Sequence, residues 1–350
     1  MLPALKDRPA PATRAATHVR ITSAGWYLPG APVSTDEVEA RVAAASPGLR
    51  MRRGFLQGLT GIQSRHYLPE AMQASDLAVE AGRRALRSAG AGSGDVDLLV
   101  WGSASQDLVE PATAHIVAAK LGLGCPVFDV KNACNSFLNA LQVAAALLTT
   151  RSYRTALVVT GESPSRAIRW SIDDQAAFLL SVPGYTMGDA GAAVLLTYDE
   201  HCEGIFFQEY RAWSQHWSIA TLPGGGSMHP RGDEWTYFGG DGTRLREAFM
   251  SIGPGLFHDT LAATNLRYDD FAAIFCHQVT LPFLELFCGE TGLPIERLMV
   301  TVPEFGNVAS ATLPLQLALA LDSGRVRRGD MVMLAGLAGG LSMGVMLMTL

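Results

Sequence analysis

A cysteine at an abrupt change of hydrophobic period is the first feature of this sequence that could do chemistry. Apolar residues form a compact, strand-like run over 127–130, and from Phe137 to Leu148 they recur at helical spacing. Cys134 lies on the turn between them. A thiol at the first turn of a helix lies near unpaired N–H groups, which lower its pKa and stabilise thiolate. The pattern predicts a nucleophile, although a lone cysteine in an apolar segment is also typical of core packing.

A second segment repeats this plan and brings in two further polar residues. Residues 299–321 contain a β-type run, a turn carrying Asn307 and an apolar helical pattern. Upstream of each copy, a helical pattern (75–88 and 245–265) precedes another strand, and the second of these strands ends at His277. The offset is close to half the chain, which indicates an internal duplication.

The duplication predicts where these side chains lie. Cys134, His277 and Asn307 each follow a central strand, and open α/β sheets bind ligands at the carboxyl ends of their strands. We therefore expect the three to share one pocket. Separately, a buried hydrogen-bonded histidine and a turn residue after Gly306 would explain His277 and Asn307 without any function. Their matching places in the two repeats favour a functional interpretation.

Composition limits the class of protein. A chain of 350 residues with 48% hydrophobic residues can bury a large core, and the duplication predicts two halves, over 19–199 and 200–350, after a loose tail over 1–18. A net charge of −6 without a Lys/Arg run argues against a nucleic-acid partner. Five cysteines without a CxxC pair indicate a reducing, cytoplasmic location. The histidines are too scattered to predict a metal site.

The last twenty residues carry no charge, so a hydropathy window would mark them as membrane-spanning. Four glycines divide this run, however, at positions 336, 339, 340 and 344. Two buried strands joined by a Gly-rich turn explain the pattern better, and we predict no membrane span.

Charged residues elsewhere have competing explanations. Glu110 precedes Pro111 at the predicted start of a helix, where the helix dipole favours a carboxylate without any catalytic duty. Residues 162–183 are predicted to form an irregular lid or lining segment. Four basic residues near Gly61 could meet the phosphates of an acyl carrier or form a solvated face: Arg52, Arg53, Arg65 and His66.

Several motifs in order resemble one known family, the thiolase superfamily in its β-ketoacyl-acyl-carrier-protein synthase III branch, from Val19 to the end of the chain. They are Cys134 after a strand, Gly188-Asp189-Ala190-Gly191, His277-Gln278, Gly306-Asn307 and Ala338-Gly339-Gly340-Leu341. Within that branch the segments 73–76, 108–113, 128–134 and 277–279 are most similar to the acyl-CoA condensing thiolases of bacterial long-chain olefin biosynthesis.

The resemblance implies a fold and a reaction. The fold is an α/β, duplicated, five-layered αβαβα sandwich that forms a homodimer. The implied reaction is a Claisen condensation of two acyl thioesters, without decarboxylation, through an acyl-Cys134 intermediate. In this scheme the N–H groups of Cys134 and Gly340 form the oxyanion hole and His277 and Asn307 hold the enolate oxygen. Glu110, contributed across the dimer interface, removes the α-proton.

The same resemblance leaves alternatives. The substrates are acyl-CoA or acyl-acyl-carrier-protein thioesters, with no permanently bound cofactor. The initiating synthases carry a tryptophan that stacks on the adenine of CoA, and residues 51–62 contain none, so a carrier protein could present the chain instead. The other interpretations are a decarboxylating synthase III that uses malonyl-acyl-carrier protein, an acyltransferase of a secondary-metabolite or polyketide pathway, and a non-catalytic partner of a sister subunit.

Overall fold

The computed structural model describes residues 16–350, so most of the predicted tail over 1–18 lies outside the described residues. The strands are Val19–Tyr27 (β1), Val33–Ser34 (β2), Ser64–Arg65 (β3), Leu98–Gly102 (β4), Val127–Val130 (β5), Thr155–Glu162 (β6), Ala190–Tyr198 (β7), Ile205–Ala212 (β8), Ala220–Thr221 (β9), Gly239–Gly240 (β10), Ala273–Cys276 (β11), Met331–Ala338 (β12) and Ser342–Thr349 (β13). The helices are Thr35–Ala45 (α1), Phe55–Thr60 (α2), Ala74–Ala89 (α3), Thr113–Leu121 (α4), Ser136–Thr149 (α5), Gln175–Tyr185 (α6), Gly242–Ile252 (α7), Gly255–Thr264 (α8), Leu281–Thr291 (α9), Val302–Phe305 (α10) and Thr312–Asp322 (α11).

Two sheets with the same strand pattern dominate the fold. The first has the order β1-β7-β6-β4-β5, in which β4 is parallel to β5 and β6, and β7 is antiparallel to β6 and β1. The second has the order β11-β12-β13-β8, with β11 parallel to β12 and the other pairs antiparallel. The predicted pair of C-terminal strands is confirmed as β12 and β13.

One predicted strand of the second sheet is reduced to a single contact. Leu298 forms an isolated parallel bridge with Ile274, and the run over 299–302 is not a strand. Gln278 Oε1 accepts hydrogen bonds from the backbone N–H groups of Thr301 and Val302, at 2.9 and 3.0 Å. Those amides are therefore not available to a sheet ladder.

The elements form five layers, as the αβαβα prediction required. Helices α3 and α4 cover the outer face of the first sheet, and α7, α8 and α9 cover that of the second. Helices α5 and α11 lie between the sheets in a third apolar cluster. Because both flanks of these central helices face a sheet, most of their residues are apolar and buried. Each large aliphatic side chain buried there contributes about 1.5–3 kcal/mol.

Two predicted segments differ from the structure. Residues 175–185 of the predicted irregular lid form α6, which Asp174 caps and which contains Pro183. The predicted helix over 245–265 is two helices, because Gly253 adopts a φ of +68° and Pro254 begins a new turn. No helix within residues 16–350 combines the length and the apolar character needed to cross a bilayer.

Candidate active site

Two loops that precede the central helices share one unusual backbone feature. Each leads into a central helix through an alanine with positive φ, Ala133 at +45° and Ala309 at +47°. This conformation is uncommon outside glycine and is kept where the surrounding structure requires it. The residue after the alanine is Cys134 in the first loop and Ser310 in the second. The two residues are therefore counterparts in the duplicated halves.

The first loop is held against the turn between β12 and β13. Asn135 Nδ2 donates hydrogen bonds to the carbonyl oxygen of Ser342, at 3.2 Å, and to its hydroxyl, at 3.0 Å. A Cβ at position 336 would lie 2.2 Å from Asn135 Oδ1, so only glycine permits this approach. The turn consequently brings a backbone amide of the second half to the cysteine of the first.

The sulfur of Cys134 interacts with two amides and one carboxylate. The amides are its own and that of Gly339, one residue before the Gly340 expected from the resemblance. Burial, and to a smaller extent the charge of Glu162, raise the pKa of the Cys134 thiol to about 12 against the opposing effect of the two N–H groups. The prediction of a lowered thiol pKa was wrong, because desolvation and Glu162 outweigh the N–H groups at the start of α5.

Ser310, the counterpart of the cysteine, binds that same carboxylate. Its hydroxyl forms a very short hydrogen bond with Glu162 Oε1 and lies 3.1 Å from the carbonyl oxygen of Gly102 and 2.9 Å from Thr160 Oγ1. Glu162 ends β6 with no exposed surface. Its remaining donors are the amide of Ala104, at 2.7 Å, and the amide and hydroxyl of Ser105.

His277 is buried directly after β11, and its ring contacts the second loop. Nδ1 of His277 lies 3.3 Å from Thr312 Oγ1. The Thr312 hydroxyl donates a hydrogen bond to the carbonyl oxygen of Ala309, and the same carbonyl oxygen interacts with the imidazole. We assign the ring hydrogen to Nδ1 because acceptors face it, which leaves Nε2 with a lone pair. Burial lowers the pKa of His277 to about 4, so the ring is neutral at pH 7.

Asn307 stands on the same loop as Ala309 and Ser310. Its Oδ1 accepts the N–H of Ala309 at 3.0 Å, so its Nδ2 is left as a donor. The preceding Gly306 has a φ of +67°, and a Cβ there would lie 2.7 Å from the carbonyl oxygen of Thr186. Backbone hydrogen bonds with Thr186 and Gly188 thus hold Asn307 against residues 186–188.

These contacts connect the three residues predicted to share a pocket. Ala309 contacts both His277 and Asn307, its neighbour Ser310 binds Glu162, and the charge of Glu162 acts on the sulfur of Cys134. Sequence reasoning missed Glu162 and Ser310. Aligning the two halves on their central helices would have paired Ser310 with the cysteine.

Glu110 lies apart from this network. It is exposed, next to Leu108 and Val109, which are 52% and 69% exposed. Helix α4 begins at Thr113, two residues after Pro111, and its first amides are bound by Asp129 at 2.8 and 2.9 Å. Asp129, and not Glu110, therefore binds the first amides of α4.

The four basic residues near Gly61 do not form one surface. Arg52 and Arg53 are exposed, and Arg53 pairs with Asp36 at 2.8 Å. Arg65 is fully buried, where it donates to Thr35 Oγ1 and to the carbonyl oxygen of Tyr185. A common phosphate site for this group is therefore not supported.

The chain is similar to known proteins of one family. The model of 3-oxoacyl-[acyl-carrier-protein] synthase III matches residues 128–212, and the model of its C-terminal part matches residues 261–350. A β-ketoacyl-[acyl-carrier-protein] synthase III of Neisseria meningitidis is 31% identical over 333 residues, which is 95% of this chain and 99% of that protein. A second, from a serogroup B strain, is 30% identical over the same lengths.

Solved structures agree with this. OleA of Xanthomonas campestris, in a cysteine-to-serine variant with bound lauric acid and lauroyl-CoA, has a TM-score of 0.84 and 25% identity over 95% of this chain and 99% of that chain. A synthase III of Aquifex aeolicus shares the fold, with a TM-score of 0.81 and 23% identity over 95% and 100% of the two chains. The family and fold expected from the motifs are thus confirmed, and this chain belongs to the β-ketoacyl-acyl-carrier-protein synthase III family of the thiolase superfamily, whose members are transferases that form carbon–carbon bonds.

Proposed function

We propose that this protein condenses two acyl thioesters to a β-keto product, without decarboxylation, through an acyl-Cys134 intermediate. The observation that carries the proposal is the set of hydrogen bonds and electrostatic interactions that links Cys134 of the first half, through Glu162 and the second loop, to His277 and Asn307 of the second. A nucleophile beside N–H donors, opposite a histidine and an amide donor, suits acyl transfer followed by stabilisation of an enolate.

In the first stage Cys134 attacks an acyl thioester. Since the resting thiol is protonated, its proton must leave as the carbon–sulfur bond forms, and the free Nε2 of neutral His277 is the acceptor we assign. The oxyanion is held by the amides of Cys134 and Gly339. Loss of the carrier thiol, which takes up the proton, leaves the acyl-enzyme.

In the second stage another acyl thioester enters the emptied carrier site. Asn307 Nδ2 and neutral His277, in the tautomer with its hydrogen on Nε2, donate to its carbonyl oxygen while a base removes the α-proton. The resulting carbanion attacks the acyl-Cys134 carbonyl, the carbon–sulfur bond to Cys134 breaks, and the departing sulfur takes up the proton that the base removed, which releases the β-keto thioester. We assign the base to Glu110 of a second copy of the chain, because its exposed position allows it to reach a neighbouring subunit. The exposed Leu108 and Val109 beside it supply apolar surface for a homodimer.

A decarboxylating reaction is the second candidate, favoured by the 31% identity to the Neisseria synthase III. In that reaction loss of carbon dioxide from a malonyl thioester generates the carbanion, and no base is needed. The non-decarboxylating reaction is favoured by the free Glu110 and by the likeness to OleA.

One incubation separates the two candidates. Purified protein is given lauroyl-CoA alone, lauroyl-CoA with malonyl-CoA, or lauroyl-CoA with a malonyl-loaded acyl carrier protein, and products are identified by mass spectrometry. We expect a β-keto product from lauroyl-CoA alone and its loss in Glu110→Gln, with acylation of Cys134 retained. Product that forms only with a malonyl donor, and equally in E110Q, would establish the decarboxylating reaction instead.

A further inference from the structure

Gln278, the residue after His277, has a buried side chain that the proposed reaction does not use. It is 1% exposed. Its Nε2 donates to the carbonyl oxygen of Met299 at 2.8 Å, and its Oε1 accepts the N–H groups of Thr301 and Val302 at 2.9 and 3.0 Å. A carbonyl faces one end of the amide and two N–H groups face the other, which fixes its orientation. The three bonds attach this segment to the end of β11, although the segment is not a strand of the second sheet.

A second buried amide links the same two parts of the chain. Gln316 of α11 has no exposed surface, and its Nε2 lies 3.1 Å from the carbonyl oxygen of Cys276 and 3.3 Å from Thr301 Oγ1. Cys276 and Gln278 are the two neighbours of His277 in the chain. The histidine is therefore joined to Thr301 on both sides through side-chain amides.

One helical turn connects this attachment to Asn307. The carbonyl oxygens of Thr301 and Val302 accept the N–H groups of Phe305 and of the following glycine, both at 3.0 Å. These are the two residues whose own N–H groups bind Gln278. Gln278 thus holds the start of α10, and the end of α10 leads directly to Asn307.

We propose that Gln278 is a positioning residue that sets the distance between His277 and Asn307, the two donors assigned to the enolate oxygen. His277 is also held by the sheet, because its N–H donates to the carbonyl oxygen of Ala335 at 2.9 Å. Loss of the Gln278 amide should therefore displace Asn307 and leave His277 in place. The backbone bonds of Asn307 to residues 186–188 keep the turn in the site, so the expected change is a small displacement. The inference rests on the proposed function for the role of Asn307 in the second stage.

Gln278→Met, which keeps the length of the side chain without its hydrogen bonds, tests the inference by half-reaction. We expect Q278M to acylate Cys134 with lauroyl-CoA within about twofold of the native rate, since Asn307 takes no part in that stage. Condensation, measured with the donors that the native protein uses, should fall about 10–10²-fold, because a displacement of about 1 Å has effects of that size. Gln278→Glu keeps an acceptor for both N–H groups and should condense at least about fivefold faster than Q278M.

A measurement without substrate accompanies the kinetics. In hydrogen–deuterium exchange followed by mass spectrometry, Q278M should exchange faster than native protein over residues 299–306 and equally over β12. Thr260→Val is the matched control for loss of stability, because it removes another buried hydrogen bond, from Thr260 Oγ1 to the carbonyl oxygen of Leu256 in α8. It should change neither half-reaction.

A double variant separates positioning from a general loss of stability. In the background of Asn307→Ala, Q278M should lower condensation by no more than about twofold further, because the group that Gln278 positions is already absent. The inference is overturned if the two effects multiply, if Q278M slows acylation as much as condensation, or if Q278M condenses at the native rate while N307A does not. Condensation at the native rate by N307A would instead refute the role of Asn307 in the proposed function, and the inference with it.

Discussion

The loops that lead into α5 and α11 share an alanine with positive φ, but the polar side chain that follows it has different partners in each. Both carry an alanine at a φ near +46° and then a residue with a small polar side chain, Cys134 or Ser310. The cysteine interacts with the amide of Gly339, which follows β12, and the serine binds Glu162, which ends β6. Each half therefore supplies, from the end of one of its own strands, a group that binds the loop of the other half.

This difference between the two loops shows how a duplicated fold can assign different chemical roles to equivalent positions of its halves. Two N–H groups favour negative charge as it develops near Cys134, so the first loop suits a nucleophile. A carboxylate occupies the same place at Ser310, where it binds a hydroxyl and leaves no room for an oxyanion. In the second half the polar groups that face the pocket lie elsewhere, on Asn307 three residues earlier and on His277 after β11.

Alanine substitution of Cys134 and of Ser310 in turn tests most directly whether the two loops have different roles. We expect Cys134→Ala to lower condensation about 10³-fold or more and to abolish the acyl-enzyme, while unfolding free energy falls by about 1 kcal/mol. Ser310→Ala should do the reverse: it removes one of the two hydroxyl donors to Glu162 and lowers the unfolding free energy by about 1–3 kcal/mol. Intact-protein mass spectrometry and urea titration measure the two effects.

The controls are conservative variants of each residue. Ser310→Thr keeps the hydroxyl and should recover part of the stability, whereas Cys125→Ala should leave acylation intact. If S310A removed the acyl-enzyme as completely as C134A, the second loop would be part of the nucleophile's machinery, and the division of work between the two loops would be wrong.

The sequence predicted most of the frame because hydrophobic period is a local signal. The helical pattern over 75–88 agrees with α3 to within one residue at each end, and the predicted C-terminal pair of strands is β12 and β13. Periodicity also exposed the duplication, which placed Cys134, His277 and Asn307 after strands before any contact was known. Helix α6 was missed because Pro183 and Gly184 disguise its last turn.

The electrostatics could not be predicted in the same way. The helix start beside Cys134 is visible in the sequence, so a lowered thiol pKa was the natural expectation. The groups that reverse it are tertiary: burial of the sulfur, and Glu162, whose partner Ser310 is 148 positions away. A charged residue after a strand resembles the start of a loop, and only strand register shows that it faces inward.

A second test separates the roles assigned to the two halves by half-reaction. We expect His277→Ala and Asn307→Ala to lower condensation about 10²–10³-fold, since each removes a donor to the enolate oxygen. N307A should still form acyl-Cys134 at nearly the native rate, because Asn307 takes no part in the first stage. H277A should slow both stages, because its Nε2 also accepts the thiol proton. Rapid-quench mass spectrometry of the acyl-enzyme resolves the stages, and equal acylation in the two variants would refute that proton transfer.

The smallest expected effect is a pH dependence of stability, in which the two halves again oppose each other. The folded-state pKa of His277 is lowered to about 4 by burial, from 6.5. The contribution of neutral His277 to the unfolding free energy is thus fully present above pH 6.5. It is lost as the pH falls towards 4, by about 3 kcal/mol. Asp189, in the first half, has its pKa raised by burial to about 6, from 3.8, so the folded state binds that proton first and gains stability over nearly the same range.

The native protein should therefore show a nearly flat stability between pH 6.5 and 4, and a single substitution should expose the slope. In His277→Gln the destabilising proton uptake by the unfolded chain is removed, and only the gain from Asp189 remains. We expect the unfolding free energy of H277Q, relative to native protein, to rise by about 3 kcal/mol as the pH falls from 6.5 to 4. Urea titrations at half-unit intervals measure this difference, and His115→Gln, which changes an exposed histidine of α4, is the matched control. A difference between H277Q and native protein that does not vary with pH would mean that the imidazole titrates normally in the fold, and the neutral His277 on which the proton transfer from Cys134 depends would have to be abandoned.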